Sequence, residues 1–351
     1  MFAKVDTPAV LIDIDTVKSN ITNFQNYCDT NGLKLRPHIK THKIPKFAKL
    51  QIDAGAVGIT CQKISEAEAI ISEGGINDIL ITFNIIGNEK VQRLLNLSDR
   101  VKLSVVADSE DCLEGLSRSF KNSQKNLDVL VECDTGAERC GVITPDAALF
   151  LANKIRDLPG LSFAGLMTYP PVGKMELVNS FLTDAKQKIE ETGLVVKTIS
   201  VGGSPDMWES CKIPIASEYR IGAYIYNDRS LIDKKTCKLS DCALTVLATV
   251  VSTPTPYRAV IDAGSKVLTS DLFGLKGHGL ILNHSSLMIS ELSEEHGCII
   301  SEKPTGLSIG QKIRIIPNHT CVVSNMLDHV ILIKDEQVVG IEKVIARGKV
   351  W

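Results

Sequence analysis

What this chain lacks narrows its identity first. Its ten cysteines include no CxxC pair and form no dense framework, and several interrupt apolar strand-like runs, which excludes a disulfide-stapled scaffold. The 39 Lys and Arg nearly cancel the 41 Asp and Glu, for a formal charge of -2, so there is no field to draw in nucleic acid or an acidic membrane. No apolar run approaches membrane-spanning length, and no charged-then-apolar segment precedes the first strand-like run. A soluble, cytoplasmic protein is the expectation. Motif-sized repeats and low-complexity linkers are also missing.

What is present is an ordinary globular composition: 351 residues with 44% hydrophobic content, enough for one large α/β domain and a smaller companion. One stretch stands out, Leu35-Arg36-Pro37-His38-Ile39-Lys40-Thr41-His42-Lys43. Three cations and two imidazoles crowd into nine residues, which is costly unless an anion sits there. A lysine at the mouth of a buried strand, with cationic neighbours to depress its pKa, is equipped for imine chemistry with a carbonyl compound. A solvated basic loop is the plain alternative.

Alternation organises the first two thirds of the chain. Asp15 is placed to cap a helix whose apolar residues Val17, Ile21, Phe24 and Cys28 share one face. Pro45 suits the first turn of the next helix, which Gly55 ends. Ser65 and Glu68 form a capping-box pattern for a third, running to Gly74-Gly75. Strand candidates follow the lysine stretch at residues 57–61, 78–82, 101–107, 127–133, 162–168, 197–201 and 217–221, each pair separated by room for a helix. Eight short apolar strands alternating with helices predict a (β/α)8 TIM-type barrel, with a doubly wound open sheet as the alternative. After about Leu239 the runs lose helical periodicity. This predicts a second, mostly β domain, with residues 1–235 and 236–351 as the two domains.

Lys40, Gln62, the Asp134-Thr135-Gly136-Ala137-Glu138-Arg139 turn, Tyr169, Gly202-Gly203-Ser204 and Tyr224 all fall at or just past strand C-termini, the catalytic face of a barrel. Gly202-Gly203-Ser204 offers backbone N–H groups and a hydroxyl to a phosphate monoester. Phosphate and an imine-forming lysine on one rim suggest pyridoxal 5'-phosphate. Arg139 is suited to a phenolate or carboxylate, and Tyr169 to cofactor or substrate. Far along the chain, His319 and Cys321 lie two apart in Pro317-Asn318-His319-Thr320-Cys321, so on an extended segment both reach one cation and leave positions open for water or substrate. His296 is a further imidazole, read as a turn residue.

Arg36-Pro37-His38-Ile39-Lys40-Thr41-His42-Lys43 resembles the cofactor-lysine motif of the D-threonine aldolase and D-serine dehydratase family, fold-type III pyridoxal phosphate enzymes related to alanine racemase. Asp134-Thr135-Gly136 with Arg139, the Gly202-Gly203-Ser204 loop, Arg220-Ile221-Gly222-Ala223-Tyr224, Val260-Ile261-Asp262-Ala263-Gly264, Glu295-His296-Gly297 and Pro317-Asn318-His319-Thr320-Cys321 resemble family segments in the same order. The resemblance implies a Schiff base on Lys40, a phosphate near the glycine loop and Tyr224 or Tyr226, Arg139 near the phenolic oxygen, and a metal on His319 and Cys321. Zinc is expected, with manganese or magnesium as alternatives. Arg220 matches the arginine that faces the pyridine nitrogen in alanine racemases. A homodimer acting on a small D-amino acid, with no nucleic acid or membrane partner, is implied. The aldolase branch tends to carry histidine and aspartate two apart, and the dehydratase branch histidine and cysteine. Two departures are Val322, where dehydratases tend to have proline, and Pro205, where the glycine loop has a third glycine. The histidine and cysteine of the metal pair lean toward the dehydratase branch, so β-elimination from D-serine or a close 3-hydroxy relative is expected, with retro-aldol cleavage, racemisation and non-catalytic cofactor carriage as successive alternatives.

Overall fold

The computed structural model describes residues 2–351. The chain divides into two compact units. One comprises Asn23–Lys40, Pro45–Gly222 and Lys349–Trp351, and the other the residues up to Thr22, Thr41–Ile44 and Ala223–Gly348. Strand β1 (Ala9–Asp13) leads into helix α1 (Ile14–Thr30). Asp13 rather than Asp15 caps this helix. Its carboxylate accepts the Thr16 N–H at 2.9 Å, whereas Asp15 already lies in the first turn and pairs with Lys334 at 3.2 Å. Val17, Ile21, Phe24 and Cys28 are all buried, as their spacing predicts.

The first unit is built on eight parallel strands: β2 (Lys34–Leu35), β3 (Ile59–Cys61), β4 (Asp78–Ile81), β5 (Lys102–Ala107), β6 (Leu127–Cys133), β7 (Leu161–Thr168), β8 (Thr198–Gly202) and β9 (Glu218–Arg220). They pair in the order β2-β9-β8-β7-β6-β5-β4-β3, and a parallel bridge between His38 and Thr60 joins the two ends. The fold is therefore the (β/α)8 barrel and not the open doubly wound sheet. Side chains alternate along each strand, and Leu80, Val106, Leu130 and Met167 form one fully buried cluster across four neighbouring strands.

Helices α2 (Pro45–Asp53), α3 (Ile64–Ile71), α4 (Asn88–Ser98), α5 (Glu110–Phe120), α6 (Pro145–Asp157) and α7 (Met175–Glu190) fill the connections up to β8. The connection from β8 to β9 does not hold the expected helix. A 3-10 turn, Met207–Lys212, takes its place, since Pro205 and Pro214 bracket the segment and proline neither donates an N–H nor lets its predecessor settle in the α region. The Ser65/Glu68 capping box also fails. Ser65 sits inside α3 and donates its hydroxyl to the Trp351 carbonyl, Glu68 forks to Arg93, and it is Glu66 that accepts the Gln62 N–H, at 2.7 Å.

Arg36 is buried, with Nη1 2.6 Å from Asp78 and Nε 2.7 Å from Glu218. One of the three cations in the Leu35–Lys43 stretch is thus answered within the barrel. Changing Arg36 to Met leaves the buried Glu218 carboxylate without a cation, while Asp78 keeps Lys102 at 2.8 Å, and is expected to destabilise the protein by about 3 kcal/mol. Chemical denaturation of the full chain measures it.

Besides β1, the second unit contains α8 (Arg229–Asp233), β10 (Leu244–Thr255), β11 (Arg258–Ile261), α9 (Ser265–Leu268), β12 (Leu280–Ile281), β13 (Met288–Leu292), β14 (Gly297–Ile300), β15 (Lys312–Ile316), α10 (Thr320–Ser324), β16 (His329–Lys334) and β17 (Gln337–Lys343). Its main path is β13-β14-β11-β10-β1-β16-β17, with β15 pairing β10 and β12. The mostly β expectation holds. β1 sits in the middle of that sheet, antiparallel to β10 and parallel to β16. β17 escapes sequence reading because Val338, Val339 and Ile341 are all exposed, so it carries no buried alternation.

Candidate active site

After β2 the chain passes the His38 bridge and enters a 3-10 turn, Ile39–Thr41, that carries Lys40. The Lys40 ammonium donates to Gln62 Oε1 at 3.3 Å, and His38 Nε2 lies 3.0 Å from the same oxygen. Gln62 is itself fixed, since its amide nitrogen donates to the Thr82 carbonyl at 2.8 Å. The structure thus brings Lys40 and Gln62 together at the C-terminal end of the barrel, as expected. His42 is a core imidazole instead: it is fully buried, and its Nδ1 accepts the Ile44 N–H at 3.0 Å.

Gly202 ends β8 where nothing larger fits, because a Cβ there would lie 2.3 Å from the Arg220 carbonyl oxygen. Gly203 has φ +143°, a conformation that favours glycine. The backbone donor expected at Gly203 is already taken. The Gly203 N–H donates to the Arg220 carbonyl at 3.1 Å and is not available to a ligand. The Ser204 hydroxyl bonds to no group among the described residues, which leaves it open to a ligand. Only β9 stands between β8 and β2 in the sheet, which puts the strand carrying the loop roughly 10 Å from the strand leading to Lys40.

Across the rim, the Arg139 guanidinium lies over the Tyr169 ring, 4.4 Å from its centroid, and the ring is 39% exposed. Arg220 is buried and already engaged. Its Nε donates to Ser200 Oγ at 2.9 Å and an Nη to the Thr168 carbonyl at 2.6 Å. Burial pulls its guanidinium down to about 10 against the opposing pull of Glu218 and Glu132. Glu132, a carboxylate the sequence reading overlooked, is buried near the end of β6. Burial first and Asp108 second raise its pKa, while Arg139 and Arg220 lower it. Period-two alternation from Leu130 would have marked it as facing the interior.

Within the second unit, His319 and Cys321 do meet, but not on an extended segment. His319 is the extended residue ahead of α10, and Cys321 is in its first turn. The cause is Asp228, whose buried carboxylate accepts the Thr320 N–H at 3.1 Å and so starts the helix. Asp228 also accepts from His319 Nδ1 at 3.0 Å, and Thr41 Oγ1 lies 3.0 Å from Cys321 Sγ. Burial lowers the His319 pKa, but the Cys321 charge and the Asp228 hydrogen bond outweigh it and push the imidazole up to about 10. Tyr224 and Tyr226 are fully buried at the 3-10 turn Ala223–Ile225, and burial followed by the Cys321 charge raises the Tyr226 phenol well above its ordinary value. His296 is exposed in the turn between β13 and β14. Sequence reading missed Asp228 and Thr41 as partners of the pair. Asp228 begins a cap-like Asp-Arg-Ser-Leu run, but nothing local points to an imidazole ninety-one residues on.

The residues suit both implied groups. The lysine held by Gln62 and the glycine-lined loop with an unbonded serine hydroxyl fit an aldehyde cofactor bearing a phosphate. For a metal, the donor set is an imidazole and a thiol backed by a carboxylate, and the anions that hold a proton on His319 would equally hold a cation. Among the described residues no group of three His, Cys, Asp or Glu is placed to hold a metal ion, so the protein would supply two ligands.

Residues 12–230 match the profile of the alanine racemase N-terminal domain, and residues 243–333 that of a serine dehydratase domain. The chain is 32% identical to a D-threonine aldolase of Arthrobacter sp over 99% of its length and 94% of the relative's. It is 29% identical to a D-serine dehydratase of Dictyostelium discoideum over 96% of its length and 95% of the relative's. The crystal structure of a D-threonine aldolase from Filomicrobium marinum superposes with a TM-score of 0.92 at 30% identity, covering 100% of this chain and 97% of that one.

Proposed function

We propose that this chain, which belongs to the D-threonine aldolase and D-serine dehydratase family of lyases, removes water from a D-3-hydroxy amino acid by β-elimination. It would do so as a cytoplasmic homodimer loaded with pyridoxal 5'-phosphate and zinc. The observation that carries the reading is the His319–Cys321 pair: a thiolate selects a soft cation such as zinc over the hard, oxygen-loving ones. When bound, the cofactor supplies a reactive aldehyde and an electron sink for the charge left at Cα, and the cation on His319 and Cys321 supplies Lewis acidity toward the β-hydroxyl.

The chain's own residues do the rest. The Lys40 amine, positioned by Gln62, takes the Cα proton. Gln62 is held by Thr82 and by the Glu66 contact to its N–H, so it keeps its oxygen aimed at the lysine. Ser204 donates to the phosphate, on a turn that Gly203 shapes with its positive φ. Arg139, stacked on Tyr169, offers its fork to a phenolate or carboxylate.

Retro-aldol cleavage to glycine and an aldehyde is the second reading, favoured by the D-threonine aldolase relatives. Incubation with D-serine, D-threonine and D-threo-3-hydroxyaspartate, each assayed for keto acid plus ammonium and for glycine plus aldehyde, separates the two. Keto acid as the main product is the expected result, and glycine as the main product overturns it.

A further inference from the structure

We infer that Asp228 is a positioning residue for the metal centre: it fixes the His319 ring so that Nε2, not Nδ1, is the atom presented to a cation. The inference rests on the proposed metal role of His319 and Cys321. Asp228 is fully buried, and both its oxygens are used. Oδ1 accepts from the Ser230 hydroxyl at 2.6 Å and the Leu231 N–H at 3.1 Å, capping α8. Oδ2 accepts from His319 Nδ1 at 3.0 Å, and from the Thr320 N–H at 3.1 Å and hydroxyl at 3.4 Å.

An ionised carboxylate accepts hydrogen bonds and donates none, so the atom facing it must be Nδ1–H. A cation that displaces the second proton then finds the lone pair on Nε2. Because the same carboxylate caps α8 and starts α10, it is held from two sides and cannot follow the ring if the ring turns. Histidine ligands steadied in this way gain orientation and basicity from the carboxylate behind them.

Asp228→Asn tests this with little change in volume. Asparagine caps helices as well as aspartate does, and its oxygen is needed by the Leu231 N–H. One oxygen cannot serve both the Leu231 and the Thr320 N–H, so in the orientation that keeps the α8 cap the NH2 group faces His319 Nδ1 and the Thr320 N–H loses its acceptor. A donor there drives the proton to Nε2 and blocks ligation, as in a catalytic triad whose aspartate is replaced by asparagine.

The full-length protein is stripped of metal, and its zinc affinity is measured by chelator competition beside His319→Ala. The expected result is a roughly 10- to 100-fold weaker zinc affinity for Asp228→Asn, with altered visible bands when the variant is saturated with cobalt. Zinc affinity within twofold of wild type, while His319→Ala loses binding, overturns the inference alone. So does weaker binding with an unaltered cobalt spectrum, which is what a merely structural role produces. If His319→Ala binds zinc as wild type does, the metal reading falls and takes this inference with it.

Discussion

Lys40→Ala is expected to abolish the visible imine band of the protein reconstituted with pyridoxal 5'-phosphate and to lower turnover by at least roughly a thousandfold. The substitution removes the one amine on the His38–Thr41 segment and spares the structure around it. His38 keeps its bridge to Thr60, and Gln62 keeps its bond to the Thr82 carbonyl. A large loss therefore reports chemistry rather than unfolding. Gln62→Ala is the graded companion. It leaves the amine and takes away its 3.3 Å acceptor together with the contact of that oxygen to His38, so the imine band should persist while turnover drops on the order of tenfold, the worth of about one hydrogen bond. A wild-type protein that shows no imine band, or a Lys40→Ala variant that keeps both band and turnover, would refute the assignment of Lys40.

Exhaustive chelation is expected to cost on the order of a thousandfold in turnover, since a Lewis acid at a leaving oxygen contributes several kcal/mol. Zinc should restore the activity. The Cys321→Asp variant sharpens the test, because a carboxylate in place of the thiolate shifts preference toward manganese or magnesium. If the ligand type also decides which bond breaks, that variant should make glycine and an aldehyde in greater proportion than the parent does. Full activity after metal removal would instead favour racemisation, which needs no cation.

The barrel was legible because parallel strands buried on both faces read as short apolar runs, and the Leu127–Cys133 strand appears within its expected bounds. The lysine turn was legible because it is contiguous. Other features were hidden for physical reasons. The first helix's cap shifted by two residues, since Asp13 and Asp15 are equally good in isolation and only the end of β1 decides between them. The neutralising partners of Arg36 lie 42 and 182 residues away. The extended geometry expected at His319 failed because a carboxylate from a distant segment starts a helix at Thr320. In each case the winning interaction was non-local.

The interleaving of the two compact units carries a consequence for ancestry. Since residues up to Thr22 and the short Thr41–Ile44 piece belong with Ala223–Gly348, no single crossover between genes can exchange one unit whole. A hybrid joined near residue 235 would seat a foreign sheet around the resident Ala9–Asp13 strand, whose ladder partners Leu244–Leu247 and Ile331–Ile333 it had just lost. A recombinant that kept the sheet's own pairings would have to carry Ala9–Asp13 along with the residues beyond 222.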